Sequence, residues 1–226
     1  AQSYAFSVKQ YTVSPFFLHF ILYFAQFALP LSPVMEKTKN RPLILISNDD
    51  GYQAKGINQL IDMLSPIADI IACAPDDARS GFSAAFSATV PLVLTKRWQR
   101  EGVEMWSSNG TPVDCVKLAL AKLVTRRPDM VVGGINHGDN GSVNTHYSGT
   151  MGVVMEGCLK YIPSVAFSVC DHDPDADFEP MRPYVERYTH YVLQHGLPKG
   201  VCLNINFPKI GRSNSEGNLT DSGCGN

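Results

Sequence analysis

Along the middle of the chain, short unbroken aliphatic runs alternate with stretches whose apolar residues recur every three to four positions. The runs "PLILIS" (42–47), "DIIACA" (69–74), "DMVVGG" (129–134) and "SVAFSV" (164–169) lack the polar alternation of a half-exposed strand, and "VCLNINF" (201–207) reads as one further strand. Continuous apolar character is expected of strands covered on both faces in a parallel sheet. Between the first two runs, Ile57, Leu60, Ile61 and Leu64 repeat at helical spacing and stop before Pro66. That spacing predicts a helix. A second helix is written out in "GTPVDCVKLALAKLV", with Thr111 as N-cap, Pro112 at the first helical position and Asp114 closing a capping box. "GTMGVVMEGCLK" and the stretch near 181–195 predict two more helices.

Strands alternating with helices imply βαβ units. The expected fold is α/β: a Rossmann-like three-layer sandwich on a mostly parallel sheet. "PLVLTKRW" and "VEMWSS" read as two antiparallel strands, a small β insertion. The long segment "PDDARSGFSAAFS" between them and the second strand is rich in glycine and serine, a functional loop rather than filler. The glycine-rich stretch after residue 134 is also expected to be loop as far as Ser148.

The two ends differ from this middle. Residues 16–29, "FFLHFILYFAQFAL", are apolar but shorter than the about 20 residues a spanning helix needs, and His19 and Gln26 interrupt them. Residues 1–40 are therefore expected to be an extension outside the folded domain, with the first 34 residues lying upstream of a start at Met35. Residues 41–210 form the domain. Residues 211–226, which carry almost no apolar content, are expected to be a disordered or aberrant tail.

Composition narrows the function classes. The 226 residues carry 19 Lys and Arg against 21 Asp and Glu, a net charge of −2. That balance argues against a general nucleic-acid binder, which carries a basic excess. Six scattered cysteines form no C-x-x-C and no zinc-ligand spacing, so buried free thiols in a reducing cytoplasm are expected.

Candidate chemistry concentrates where the strands should end. In an open parallel sheet, ligands bind outside the carboxyl ends of the strands, where the strand order reverses. Asn48, Asp49, Asp50 and Gly51 follow the first strand. Ser80 and Gly81 lie in the loop after the second, Asn136 and Asn140 in the loop after the 129–134 strand, and Ser148, Gly149 and Thr150 open a helix. Two carboxylates, a hydroxyl and two amides are hard oxygen donors, suited to Mg²⁺, Mn²⁺ or Ca²⁺ rather than zinc or copper. A divalent cation would relieve the repulsion between Asp49 and Asp50, and a helix opening at Ser148 offers free amides to a phosphate.

Other patterns fail. "DHDPDADF" places Ala176 and Arg182 where an EF-hand loop needs Gly and Glu. No Walker loop and no G-x-S-x-G elbow is present. A receiver-type signalling domain would also bind Mg²⁺ beside an acidic pair, but Gly133 and Gly134 stand where it needs an aspartate.

The stretches "ILISNDDGYQAKGI", "APDDARSGFS", "GTPVDCVKLAL", "GGINHGDN" and "YSGTMGVVMEG" occur together in order. In this the chain resembles the SurE (survival protein E) family of nucleotide phosphatases over roughly residues 42–208. The resemblance implies a 5′/3′-nucleotidase that uses one divalent cation to hydrolyse nucleoside monophosphates. By motif position it implies metal ligation by Asp49, Asp50, Ser80 and Asn136, with Asp49 and Asp50 catalytic. Asn48, Gly81, Asn140, Ser148, Gly149 and Thr150 fall along the phosphate. A cytoplasmic homodimer or tetramer is implied, with no nucleic-acid or membrane partner; a catalytically impaired nucleotide-binding fragment is the alternative. The family's C-terminal segment has no counterpart in residues 211–226.

Overall fold

The computed structural model describes residues 41–209. The expectations for residues 1–40 and for the tail from 210 onward lie outside the described residues. Seven strands form one sheet, β1 (Leu43–Ser47), β2 (Asp69–Pro75), β3 (Leu94–Arg100), β4 (Val103–Ser108), β5 (Met130–His137), β6 (Ser164–Val169) and β7 (Leu203–Phe207). Their spatial order is β3-β4-β2-β1-β5-β6-β7. Every neighbouring pair is parallel except the edge pair β3–β4. The hairpin read as an insertion thus extends the sheet: β4 runs parallel to β2, and β3 closes the edge against it.

Helices α1 (Lys55–Leu64), α2 (Pro112–Lys122), α3 (Asn144–Tyr147), α4 (Gly149–Leu159) and α5 (Arg182–His195) connect the strands. All five residues of β1 and all six of β6 are buried, as the unbroken aliphatic runs require. Phe167 and Ile44, Leu45 and Ile46 anchor the core there. The capping box on α2 forms as expected, with Thr111 Oγ1 accepting from the Asp114 amide and Asp114 accepting from the Thr111 amide.

One boundary differs from expectation in a way that matters. The third parallel strand runs to His137, so Asn136 belongs to β5 and not to the loop after it. Gly133 pairs with Ala166 and Asn136 with Ser168, so two β5 residues stand where β6 has one. This bulge lets the strand continue past "GG" and re-aims Asn136. The expected glycine-rich loop also contains the helical turn α3.

Cys73, Cys115, Cys158 and Cys202 are free thiols, the first two buried. Cys170 departs from that expectation and is disulfide-bonded. Among the described residues no helix is long and apolar enough to cross a membrane.

Candidate active site

β1 lies between β2 and β5, so the chain moves outward to one side after β1 and returns to its other side with β5. The crevice expected at such a reversal opens between the carboxyl ends of β1 and β5. A cleft of about 180 Å³ lies there, lined by Asp49, Ser80, Gly81, Asn136, His137, Asn140, Asn144, Tyr147 and Ser148.

Asp49 forms the floor. It is 3 % exposed, and its Oδ1 accepts a 2.6 Å hydrogen bond from the Thr150 hydroxyl. Gly149 passes so close that an added methyl would sit 2.6 Å from Asp49 Cβ. Burial pushes the Asp49 carboxyl above its usual range, while the Thr150 hydroxyl and the Gly149 and Thr150 amides pull it back. The positive end of α4 is therefore aimed at Asp49. Thr150 is wholly buried, and of the three residues at the start of α4 only Ser148 lines the cleft. Ser148 also caps the helix, accepting from the Met151 amide at 3.0 Å.

Asp50 has no such support. Burial first, and the Asp49 charge second, push its carboxyl up to about 6, with the His137 backbone N–H opposing them. Its Oδ2 is buried and has no hydrogen-bond partner. An isolated buried carboxylate oxygen is costly, and a cation is the partner such an atom lacks. Asn48 turns inward, its Nδ2 donating to the Gly51 carbonyl at 3.0 Å while its Oδ1 is also buried and unpartnered. Asn48 thus closes the turn that presents the acidic pair through its amide nitrogen and does not line the cleft.

The other donors arrive on restrained backbone. Asn136 Nδ2 donates to the carbonyls of His137 and Gly138 at 3.1 and 2.9 Å and to Asn140 Oδ1 at 3.4 Å. Those bonds engage only the amide nitrogen and leave Oδ1 as the donor for a cation. Asn140 Nδ2 is bound to Ser168 Oγ at 2.6 Å, and its amide to Asn206 Oδ1 at 2.8 Å, fixing it to β6 and β7. Ser80 is exposed on the long loop after β2, and Gly81 beside it adopts φ +78°. That loop is tied down at three points: the Arg79 amide to the Asp49 carbonyl at 2.6 Å, the Ser87 amide to Asp114 at 2.9 Å, and Thr111 to the Ala85 carbonyl at 2.7 Å. The box that starts α2 therefore also anchors the loop that carries Ser80.

The residues fit a hard divalent ion. The Asp49 carboxylate, the Ser80 hydroxyl and the Asn136 amide line one cleft, Asp50 stands next to Asp49 with one carboxylate oxygen orphaned, and among the described residues neither acid has a cationic side chain bonded to it. No cluster of three or more His, Cys, Asp or Glu occurs among the described residues. Sequence reasoning did not single out Asn144 and Tyr147 as site residues. The only signal in the chain was the position of Tyr147 immediately before Ser148.

A sequence model of the family described as "Survival protein SurE" matches residues 44–223, reaching past residue 208 into the segment outside the described residues. The chain is 58 % identical over 170 residues to the 5′-nucleotidase SurE of Phocaeicola vulgatus, covering 75 % of this chain and 66 % of the relative. It is 53 % identical over 168 residues to the 5′-nucleotidase SurE of Bacteroides thetaiotaomicron, covering 74 % and 65 %. The matched part thus spans just under two thirds of the length of these curated relatives. The crystal structure of the Sure protein from Aquifex aeolicus superposes with a TM-score of 0.68 at 35 % identity, covering 75 % of this chain and 67 % of that one.

Proposed function

The chain belongs to the SurE family, and on that premise we propose that it is a divalent-metal-dependent phosphomonoesterase. Its substrates are nucleoside 5′- and 3′-monophosphates, its products nucleoside and phosphate. The observation that carries the reading is the unpartnered, buried Oδ2 of Asp50 beside Asp49 at the sheet's reversal point. Two adjacent acids without a counter-cation call for an ion, and an open cleft beside them leaves room for its ligand.

In this reading Asp49, Asp50, Ser80 and Asn136 hold one Mg²⁺, Mn²⁺ or Ca²⁺. When bound, the ion supplies Lewis-acid stabilisation of the charge that develops on the phosphoryl oxygens. Asp49 lines the cleft and Asp50 does not, so Asp49 is the carboxylate that orients the attacking water, and Asp50 contributes charge from behind. Thr150 and Gly149 set the Asp49 carboxylate in place from the start of α4, which keeps its geometry fixed before substrate arrives. Ser148, Asn140 and Gly81 border the same space and contact the phosphate directly, while Asn48 acts through the turn it holds. A homodimer or tetramer and a cytoplasmic setting complete the proposal. The four free thiols support that setting, whereas the Cys170 disulfide counts the other way.

The test is phosphate release from AMP by the full chain with Mg²⁺ or Mn²⁺. Chelation abolishes it, and Asp49→Asn lowers it by at least about a hundredfold. Release that survives chelator, or that Asp49→Asn leaves intact, overturns the reading. A chain that binds AMP without releasing phosphate is instead an impaired nucleotide-binding form.

A further inference from the structure

The cleft is graded from a buried polar floor to an exposed aromatic mouth. At the floor Asp49, Asn136, Asn140 and Ser148 are 3, 9, 3 and 7 % exposed, whereas Tyr147 on the wall is 66 % exposed. A tyrosine ring left so open to water normally swings freely on a surface. Here its backbone is clamped. The Tyr147 carbonyl accepts from the Ser83 amide at 3.1 Å, the Ser83 hydroxyl donates to the His146 carbonyl, and the following Ser148 amide donates back to Asn144 at 3.0 Å. Ser148 then caps α4. The ring stands on a rigid peg, one residue from the polar floor, with most of its surface unburied.

We infer that Tyr147 is the platform on which the nucleobase of the substrate stacks, which makes it the residue that separates nucleotides from phosphomonoesters lacking a base. This inference rests on the nucleotidase reading and extends it to the part of the substrate remote from the phosphate. A phosphoryl group at the polar floor leaves the nucleoside to extend outward along the wall, where the aromatic surface lies. Aromatic side chains bind any base through its π-face and lose little conformational freedom in doing so, with two side-chain torsions to fix. A planar, sequence-tolerant surface favours purines over pyrimidines by their larger stacking area. It does nothing for a sugar phosphate without a base.

The experiment compares the full chain with Tyr147→Ala, Tyr147→Phe and Tyr147→Trp. Adenosine binding is titrated calorimetrically, and the ratio of kcat/KM for AMP to that for ribose 5-phosphate is measured. Tyr147→Ala weakens adenosine binding about tenfold and lowers the ratio by a similar factor through KM, while Phe and Trp restore both. Equal losses for AMP and ribose 5-phosphate, or adenosine binding unaffected by Tyr147→Ala, overturn the inference. Failure of the parent reading looks different, because the unsubstituted chain then releases phosphate from neither compound. The adenosine titration still decides the role of Tyr147 in that case, since it requires no turnover.

Discussion

Two pairs of aspartates, Asp69 and Asp129 at the amino ends of this parallel sheet and Asp49 and Asp50 at the carboxyl end of β1, have opposite surroundings. At the amino ends, Asp69 pairs with Arg41 at 3.0 Å and Asp129 with Arg126 at 2.7 Å. Those arginines go on to close the backbone around them: Arg41 donates to the carbonyls of Ser65 and Ala68, and Arg126 to the carbonyl of Arg41. Asp129 also accepts the Leu43 amide at 2.7 Å, fixing the start of β1. Each of these four charges has a protein partner and is partly solvated. At the carboxyl end of β1, Asp49 and Asp50 are more deeply enclosed, stand side by side and, among the described residues, have no arginine or lysine bonded to them. The same residue type is ion-paired at the amino ends and left with an unpartnered oxygen at Asp50, although other carboxyl-end aspartates are paired, Asp76 with Arg97 at 2.7 Å and Asp171 with Lys209 at 2.9 Å. The pair holding that unpartnered oxygen is the one that awaits a ligand.

The largest separation between the two edges comes from neutralising each. Asp50→Asn lowers phosphate release by at least about a hundredfold, yet the metal-free variant melts no lower than the parent at pH 7, because a like-charge neighbour has been removed from Asp49. A clear fall in its metal-free melting temperature would place Asp50 with the structural acids instead. Chelator should change the melting temperature of the parent and not that of the variant.

Gly56→Ala breaks the frame that aims one wall. A methyl at Gly56 would overlap the Ile135 carbonyl oxygen, since α1 meets the backbone of β5 with nothing between. Overpacking against backbone costs about 3 kcal/mol, a fall of roughly 6–12 °C in melting temperature for a chain of this size. Because Ile135 precedes Asn136, affinity for Mn²⁺ should weaken as well. Thermal melts and a metal titration read the two effects separately.

The pH response has a definite sign. Burial and the Asp49 charge raise the folded Asp50 carboxyl from 3.8 to about 6. A raised folded value contributes stability below the unfolded value that is lost as pH climbs through the folded one. The metal-free protein therefore loses up to about 3 kcal/mol between pH 4 and pH 6 from this group, and saturating Mg²⁺ flattens the curve by holding the pair ionised. Denaturant melts across that window, with and without Mg²⁺, check it. A metal-free protein that gains stability over the same window contradicts the assignment.

The smallest effect belongs to the other edge. Asp69→Asn removes an ion pair whose side chains are 51 % and 44 % exposed, so less than about 1 kcal/mol is lost. Neither the chelator response nor phosphate release should move. A loss comparable to that of Asp50→Asn would erase the contrast on which the site rests.

Much of this was legible before any coordinates. The buried strands announced themselves as unbroken aliphatic runs, because a strand covered on both faces has no place for alternation. The start of α2 could be read to the residue, since a capping box is a local bargain between Thr111 and Asp114. The acidic pair after β1 and the serine after β2 were likewise visible as donors with one chemistry. Asn136 was misplaced into a loop because two glycines after "DMVV" look like a strand's end. Only pairing with β6, through the bulge opposite Phe167, carries β5 onward.

What the sequence alone determined, then, is the alternation of elements and the identity of the oxygen donors, since both depend on spacing and side-chain type within a few residues. Tertiary structure decided the rest. It committed the Thr150 hydroxyl to Asp49, left Asp50 Oδ2 without a partner, and stood Tyr147 exposed at the mouth of the cleft. Each of these depends on residues tens of positions apart meeting across a sheet whose strand order no local signal encodes.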